Sequence, residues 1–296
     1  MKIRHSTSER LLTPALECPK CLVLAPNLFL SFEKRTQVRA VTVHALSSWV
    51  RQCLKETWKL RGLPLPEGMK ASDDGESIGH CPFCQRLFMI LLLKGIPFTL
   101  TTVDMKRALD VLKDFAPGAQ LPVLLYNGEP KTDTNKIEEF LEETLGPPNF
   151  PSLVPRYKES CTAGNDIFHK FSVFIKNLLP AQDEVLQKNL LKALLKLDRY
   201  LSTPLEYELV QDPSLTVSRR RFLDGDQLTL ADCSLLPKLN IVHIVCKHYR
   251  QVGIPQELHG VWRYLDSAGE AKEFKSSSPN SKEIVQAYRT VVRPLK

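Results

Sequence analysis

Nothing in this 296-residue chain offers the roughly twenty uninterrupted apolar residues that a membrane-spanning helix needs. The best candidate, Leu87 to Val103, is broken by Lys94, Gly95 and Pro97. A clean leader is missing too, because Glu17, Lys20 and Asn27 interrupt the apolar stretch from Leu11 to Phe32. The body of the chain has no surplus of charge. The formal net charge is +7, and residues 1–62 hold all of it, with eleven Lys and Arg against four Glu. Residues 63–296 balance at 29 of each sign, so no broad field draws nucleic acid there and no nucleic-acid partner is expected. The eight cysteines form no disulfide framework for a chain this long and suit a reducing compartment. Cys18-Pro19-Lys20-Cys21 is a CxxC, but it lies too far from Cys81 and Cys84 to share a compact zinc module. It reads as two cysteines in an arm, and no metal is expected.

What is present centres on His80-Cys81-Pro82-Phe83-Cys84, which opens the apolar run Leu87–Leu93. A cysteine just before the first turn of a helix meets unpaired N–H groups and the positive end of the dipole, both of which favour its thiolate. Pro82 fits the first helical position. Cys84, one turn on, can attack a mixed disulfide formed at Cys81. Gly95 and Pro97 end the helix, Pro97–Val103 reads as a strand, and Asp104–Ala116 as a short helix. Leu121–Tyr126 is an apolar strand entered through Pro122, followed by an Asn127-Gly128 hairpin and a helix from Thr132 to Leu145. That is the order of a thioredoxin-like domain without its first strand. The expected division is an irregular extension over 1–62, a thioredoxin-like domain over 63–150 and an all-helical domain over 151–296.

In that order of elements a cis Leu121–Pro122 bond sets the Leu121 backbone opposite Cys81, where it can pair with a bound peptide thiol. Asp133 suits an α-ammonium group, and the N–H groups near Thr134 suit an α-carboxylate. Glutathione carries both groups and a thiol. Thr229 and Asp232 read as a capping box, and Pro237 as a kink in the helix that they start. Cys161, Cys233 and Cys246 read as packing or incidental cysteines, and Arg219-Arg220-Arg221 as a solvated loop edge. His80 either tunes Cys81 or faces solvent.

From about Lys70 to Arg293 the chain resembles the chloride intracellular channel proteins. The resembling runs are Asp74 to Met89, Lys131-Thr132-Asp133-Thr134, Ile137 to Glu143, Thr162 to Asp166, and Phe222-Leu223-Asp224-Gly225 with Thr229 to Cys233. The resemblance implies a glutathione-transferase-like fold of the omega type, an α/β domain followed by an all-α one. It implies glutathione-dependent oxidoreductase chemistry at Cys81, with Lys70 and Phe83 joining Leu121, Pro122, Asp133 and Thr134 in holding glutathione. Many members carry Ser at the position of Cys84, and a cysteine there permits an intramolecular disulfide. A second form is also implied, a voltage-gated chloride channel in which roughly Cys81–Val103 enters the lipid. That form would be an oligomer and the soluble one a monomer, in cytoplasm and nucleus with a membrane-associated fraction.

The family's apolar first strand is replaced here by Leu65-Pro66-Glu67-Gly68-Met69-Lys70-Ala71, and Pro66 and Gly68 do not suit a central strand. The expectation is therefore a substitute from Val38–Val43 or a weakened sheet. Three functions follow: a glutathione-dependent enzyme, a chloride channel, or an adaptor whose protein partners are switched by a Cys81–Cys84 disulfide.

Overall fold

The stretch whose composition argues against a strand, Leu65–Lys70, is one, β1. The computed structural model describes residues 65–71, 78–103, 121–127 and 129–292. The expected strand at Val38–Val43, the Asp104–Ala116 helix and Cys18, Cys21 and Cys53 lie outside those residues. β1 joins β2 (Phe98–Val103), β3 (Val123–Tyr126) and β4 (Glu129–Lys131) in a four-stranded sheet of order β2-β1-β3-β4. It runs parallel to β2, with Leu65 opposite Phe98 and Lys70 opposite Val103, and antiparallel to β3. The expectation of a missing central strand is corrected, and the register gives the reason. β3 pairs with β1 only at Glu67 and Gly68, so Pro66 has a ladder on one side alone, as on an edge strand. Asn127 takes φ 51, the left-handed turn that joins β3 to β4.

The apolar run after the cysteines forms α1 (Pro82–Lys94), with proline in its first turn. Gly95 closes it at φ 65, donating its N–H to Leu92 O at 3.1 Å. Leu87, Phe88, Met89, Ile90 and Leu91 are all at most 2% exposed, so the helix is apolar all round because it is covered all round. Cys84 and Phe88 face Ile78, Phe98, Leu100 and Leu121 on the sheet side. Leu87, Met89, Ile90 and Leu91 belong to the large core that includes Phe171, Leu194 and Val245.

α1 carries one buried charge. Lys94 Nζ donates to Leu145 O and Pro151 O, both at 2.8 Å, and pairs with Glu142 Oε1 at 2.8 Å. The lysine that breaks the apolar run in the sequence is thus a clasp on α2 (Thr134–Thr144) and the turn after it. The run Cys81–Val103 is divided into α1 and β2, turned at Gly95. No helix among the described residues is long and apolar enough to cross a membrane.

Every described element after α2 is helical. These are α3 (Lys158–Thr162), α4 (Ile167–Ile175), α5 (Pro180–Ser202), α6 (Glu206–Gln211), α7 (Leu230–Arg250), α8 (His259–Glu270), α9 (Lys272–Ser277) and α10 (Ser281–Tyr288). A thioredoxin-like α/β unit with a mixed sheet precedes this all-α unit, and together they are a glutathione-transferase-like fold. Three- and four-residue apolar steps set α5, whose Leu190, Leu194, Leu197 and Leu201 are buried. α7 continues through the buried Pro237. At its start the Asp232 carboxylate accepts from Thr229 N and Thr229 Oγ1 at 2.8 Å on one oxygen. Its other oxygen accepts from Leu223 N and Tyr264 Oη at 3.0 and 2.9 Å. Asp232 therefore binds a loop and a second helix as well as its own first turn.

The basic run 219–221 corrects the reading of a solvated edge at its middle member. Arg220 is 2% exposed and donates to Thr203 O at 2.7 Å, Ser218 Oγ at 2.9 Å and Leu223 O at 3.2 Å, beside the Glu208 carboxylate. A rigid fork of five donors can satisfy several carbonyls at once, which makes arginine tolerable there. Arg220→Ala removes the buried counter-charge of Glu208 and the side-chain donor to Thr203 O, so a loss of about 3–5 kcal/mol is expected in urea denaturation. Arg219→Ala and Arg221→Ala, at exposed positions, should each cost less than about 1 kcal/mol.

Candidate functional site

The site is assembled where the chain returns to the end of β1. Ala71 pairs with Ile78 in an antiparallel bridge, and Gly79 N donates to Lys70 O at 2.9 Å. A Cβ on Gly79 would lie 2.5 Å from Ala71 O and 2.7 Å from Lys70 O, so only glycine fits this closure. The closure brings His80 and Cys81 beside Lys70. Cys81 is the residue before α1, in extended conformation (φ −73, ψ 114), and Gln85 N donates to its carbonyl at 3.1 Å.

Cys81 is half-buried and Cys84 fully buried, and neither is in a disulfide. The Cys81 thiol is lowered from 9.0 to about 6. The largest cause is the hydrogen bond from the Cys84 side chain, followed among the lowering influences by the backbone N–H groups of Cys84 and Phe83 and by the positive charge of Lys70. Burial opposes them. Cys84 in turn accepts from Lys70 N at 3.5 Å. At neutral pH the Cys81 side chain is therefore a thiolate, and Cys84 is its first hydrogen-bond donor. Cys233 and Cys246 are pushed the other way by burial, Cys246 to about 12. The exposed Cys161 is raised as well.

The remaining expected site residues divide into two groups. The Leu121–Pro122 bond is cis, and Leu121 packs in the small cluster that contains Cys81 and Cys84. Pro122 is buried next to it. Asp133 and Thr134 lie at the other end of the hairpin, at the start of α2. The exposed Asp133 caps that helix, its Oδ1 accepting from Lys136 N at 2.9 Å. Phe83 is 43% exposed, with Lys238 Nζ of α7 5.6 Å from its ring centroid. Among the described residues no group of His, Cys, Asp and Glu is placed to hold a metal ion.

Reasoning from sequence missed what the helical unit adds. Glu283 and Tyr288 of α10 reach His80, by a 3.4 Å contact with the ring nitrogen and an edge-on ring contact at 6.2 Å. Burial, with the negative charge of Cys81, raises the Tyr288 phenol to about 12. Gln85 Nε2 donates to Ser278 Oγ at 2.9 Å, tying the first turn of α1 to the end of α9. Arg86 pairs with Glu138 of α2, whose carboxyl is raised by burial. No spacing rule connects residues about 200 positions apart, so only the apolar face of α10 was visible.

A half-buried thiolate before a helix, a neighbouring cis proline and a helical second unit define a protein of glutathione-transferase-like architecture. Comparison with known proteins narrows the class. Residues 66–148 match the family described as CLIC-like N-terminal domain, and residues 178–267 the glutathione S-transferase C-terminal domain. Over 226 residues the chain is 70% identical to human chloride intracellular channel protein 3, covering 76% of this chain and 96% of that one. The mouse protein of that name is likewise 70% identical, with 76% and 95% covered. The chain belongs to the chloride intracellular channel family. Among solved structures, a CLIC homologue from C. elegans superimposes with a TM-score of 0.60 at 22% identity, covering 80% of this chain and 87% of that one. A Chlamydomonas reinhardtii dehydroascorbate reductase gives 0.62 at 21% identity, covering 78% and 100%. At such identities these two show the fold alone.

The reduced protein should be alkylated at Cys81 by iodoacetamide with a midpoint at about pH 6. Cys84→Ala, which removes the largest lowering influence, should move that midpoint upward. Because the folded thiol is depressed from 9.0 to about 6, its contribution to stability is fully present above pH 9 and lost as pH falls through 6. Reduced wild type should accordingly gain stability over Cys81→Ser across that window in urea titrations.

Proposed function

We propose that this protein is a glutathione-dependent thiol–disulfide oxidoreductase with Cys81 as its nucleophile. The observation that carries the reading is the Cys81 thiol, lowered to about 6 at a helix start and in one cluster with the residue before cis Pro122. In the reaction the Cys81 thiolate attacks the glutathione sulfur of a mixed disulfide. A Cys81–glutathione disulfide forms, and the substrate leaves as a thiolate that takes up a proton. A second glutathione thiolate then attacks that bond, releasing oxidised glutathione and restoring the Cys81 thiolate. Per turnover one mixed disulfide and one glutathione thiol become one substrate thiol and one oxidised glutathione, and nothing else is consumed. Leu121 offers its backbone to the bound tripeptide, Lys70 and Phe83 flank it, and Asp133 and Thr134 receive its charged end. Cys84 stabilises the resting thiolate. In place of the second glutathione, a deprotonated Cys84 can attack the Cys81 sulfur of the Cys81–glutathione disulfide, closing the intramolecular disulfide and releasing glutathione.

The experiment is reduction of a glutathionylated peptide by the full chain, with glutathione reductase and NADPH reporting oxidised glutathione. Turnover should fall at least about a hundredfold in Cys81→Ser. Full activity in that variant, or none in the wild type, sinks the reading.

The name of the relatives favours a second reading, passage of chloride through lipid by an oligomeric, inserted form. For this chain, insertion of Cys81–Val103 first requires Lys94 to leave the three oxygens that bury it. Lys94→Met removes the buried counter-charge of Glu142 and the donor to two carbonyls, and loosens the clasp. It should raise binding to anionic vesicles and chloride efflux above wild type at neutral pH. Efflux no greater than from protein-free vesicles, for both proteins, counts against the channel.

A further inference from the structure

Lys70, the cation beside Cys81, is itself held by side chains from two other parts of the fold. Lys70 Nζ lies 3.3 Å from His80 Nε2, and His80 Nδ1 lies 3.4 Å from Glu283 Oε1. The His80 and Glu283 side chains are only 23% and 12% exposed, so water screens this chain of contacts weakly. One tautomer satisfies both ends. With its proton on Nδ1, neutral His80 donates to the Glu283 carboxylate and accepts at Nε2 from the Lys70 ammonium. The other tautomer sets an N–H against the ammonium and a lone pair against the carboxylate. Tyr288, one turn of α10 beyond Ile284, packs its ring edge-on to His80 at 6.2 Å and 73°.

We propose that Glu283 and His80 are positioning residues for the Cys81 thiolate: Glu283 fixes the tautomer of His80, and His80 holds the Lys70 ammonium at the end of β1 beside Cys81. This rests on the reading above only in taking Cys81 as the reacting thiol. A lysine is a point charge on a flexible stem, so its effect on a neighbour depends on what holds its far end. Here the holder reaches back to α10. The Gly79 N to Lys70 O bond at 2.9 Å fixes the backbone end, and the His80 ring fixes the other. The helical unit thereby adjusts the reactivity of a thiol in the α/β unit without touching substrate.

The test follows alkylation of Cys81 by iodoacetamide in the reduced full chain between about pH 5 and 9, with the label located by fragment masses. Glu283→Gln and His80→Gln should each move the midpoint up by about half a unit, roughly halving the thiolate fraction near pH 6. Lys70→Gln should do the same, and adding Glu283→Gln to it should move the midpoint no further. Glu270→Gln, which removes a surface partner of Arg221, is the control and should leave the midpoint in place. His80→Gln reads the same link from the α1 side should Glu283→Gln fail to fold, as judged by circular dichroism. Midpoints unmoved by Glu283→Gln and His80→Gln, or effects that add to that of Lys70→Gln, overturn the proposal. Shifted midpoints without disulfide turnover sink the enzyme reading and leave this one standing; turnover with unmoved midpoints does the reverse.

Discussion

A helix covered on all sides can keep polar groups only where each is paired, and α1 meets that constraint at both of its ends. At the first turn Cys81 takes on negative charge under the helix N–H groups, the Cys84 thiol and Lys70. At the last turn Lys94 places a positive charge at the negative end of the dipole and satisfies it on Glu142, Leu145 and Pro151. Between the two lies a stretch of leucine, isoleucine, methionine and phenylalanine with no exposed face. The sheet covers one side and the helical unit the other, so the reactive thiol sits on the seam between them. Its surroundings are drawn from both units, and the fold of each is a condition for its chemistry.

Most of the architecture was legible because it rests on local rules. The proline and glycine that bracket α1, the leucines of α5 at three- and four-residue steps, the asparagine of the hairpin and the Thr229–Asp232 cap each act within a few residues. The proline entering an apolar strand marked where a cis bond would serve the site, and the Leu121–Pro122 bond is cis. What escaped was set by register or by distance. Pro66 argues against a central strand until β3 is known to pair only with its two successors. Arg220 looks like its exposed neighbours because nothing local reveals the ring of carbonyls closing around it. Lys94 reads as a break in an apolar span and serves as its clasp. In each case a charged or awkward residue is acceptable because of partners far away along the chain.

The same distances separate what this site shares with its fold from what belongs to the chain. A thiol before a helix and a cis proline are supplied by the α/β unit alone. His80, Glu283 and Tyr288 link that unit to the last described helix, and the Gln85 bond to Ser278 does so a turn further along α1. Cohesion between the units and acidity of the thiol are thus coupled through a few side chains, so a change that loosens one alters the other.

The contact between His80 and Glu283 spans 203 positions, which ties the thiol to the order in which the chain is made. A nascent chain exposes Cys81 long before α10 has left the ribosome, and until then neither Glu283 nor Tyr288 is available to it. During synthesis the cysteine has Lys70 and Cys84 within reach but not the His80–Glu283 contact. The setting is complete only when the far end of the chain closes over it, so a truncated product would carry the motif without the α10 contacts to His80.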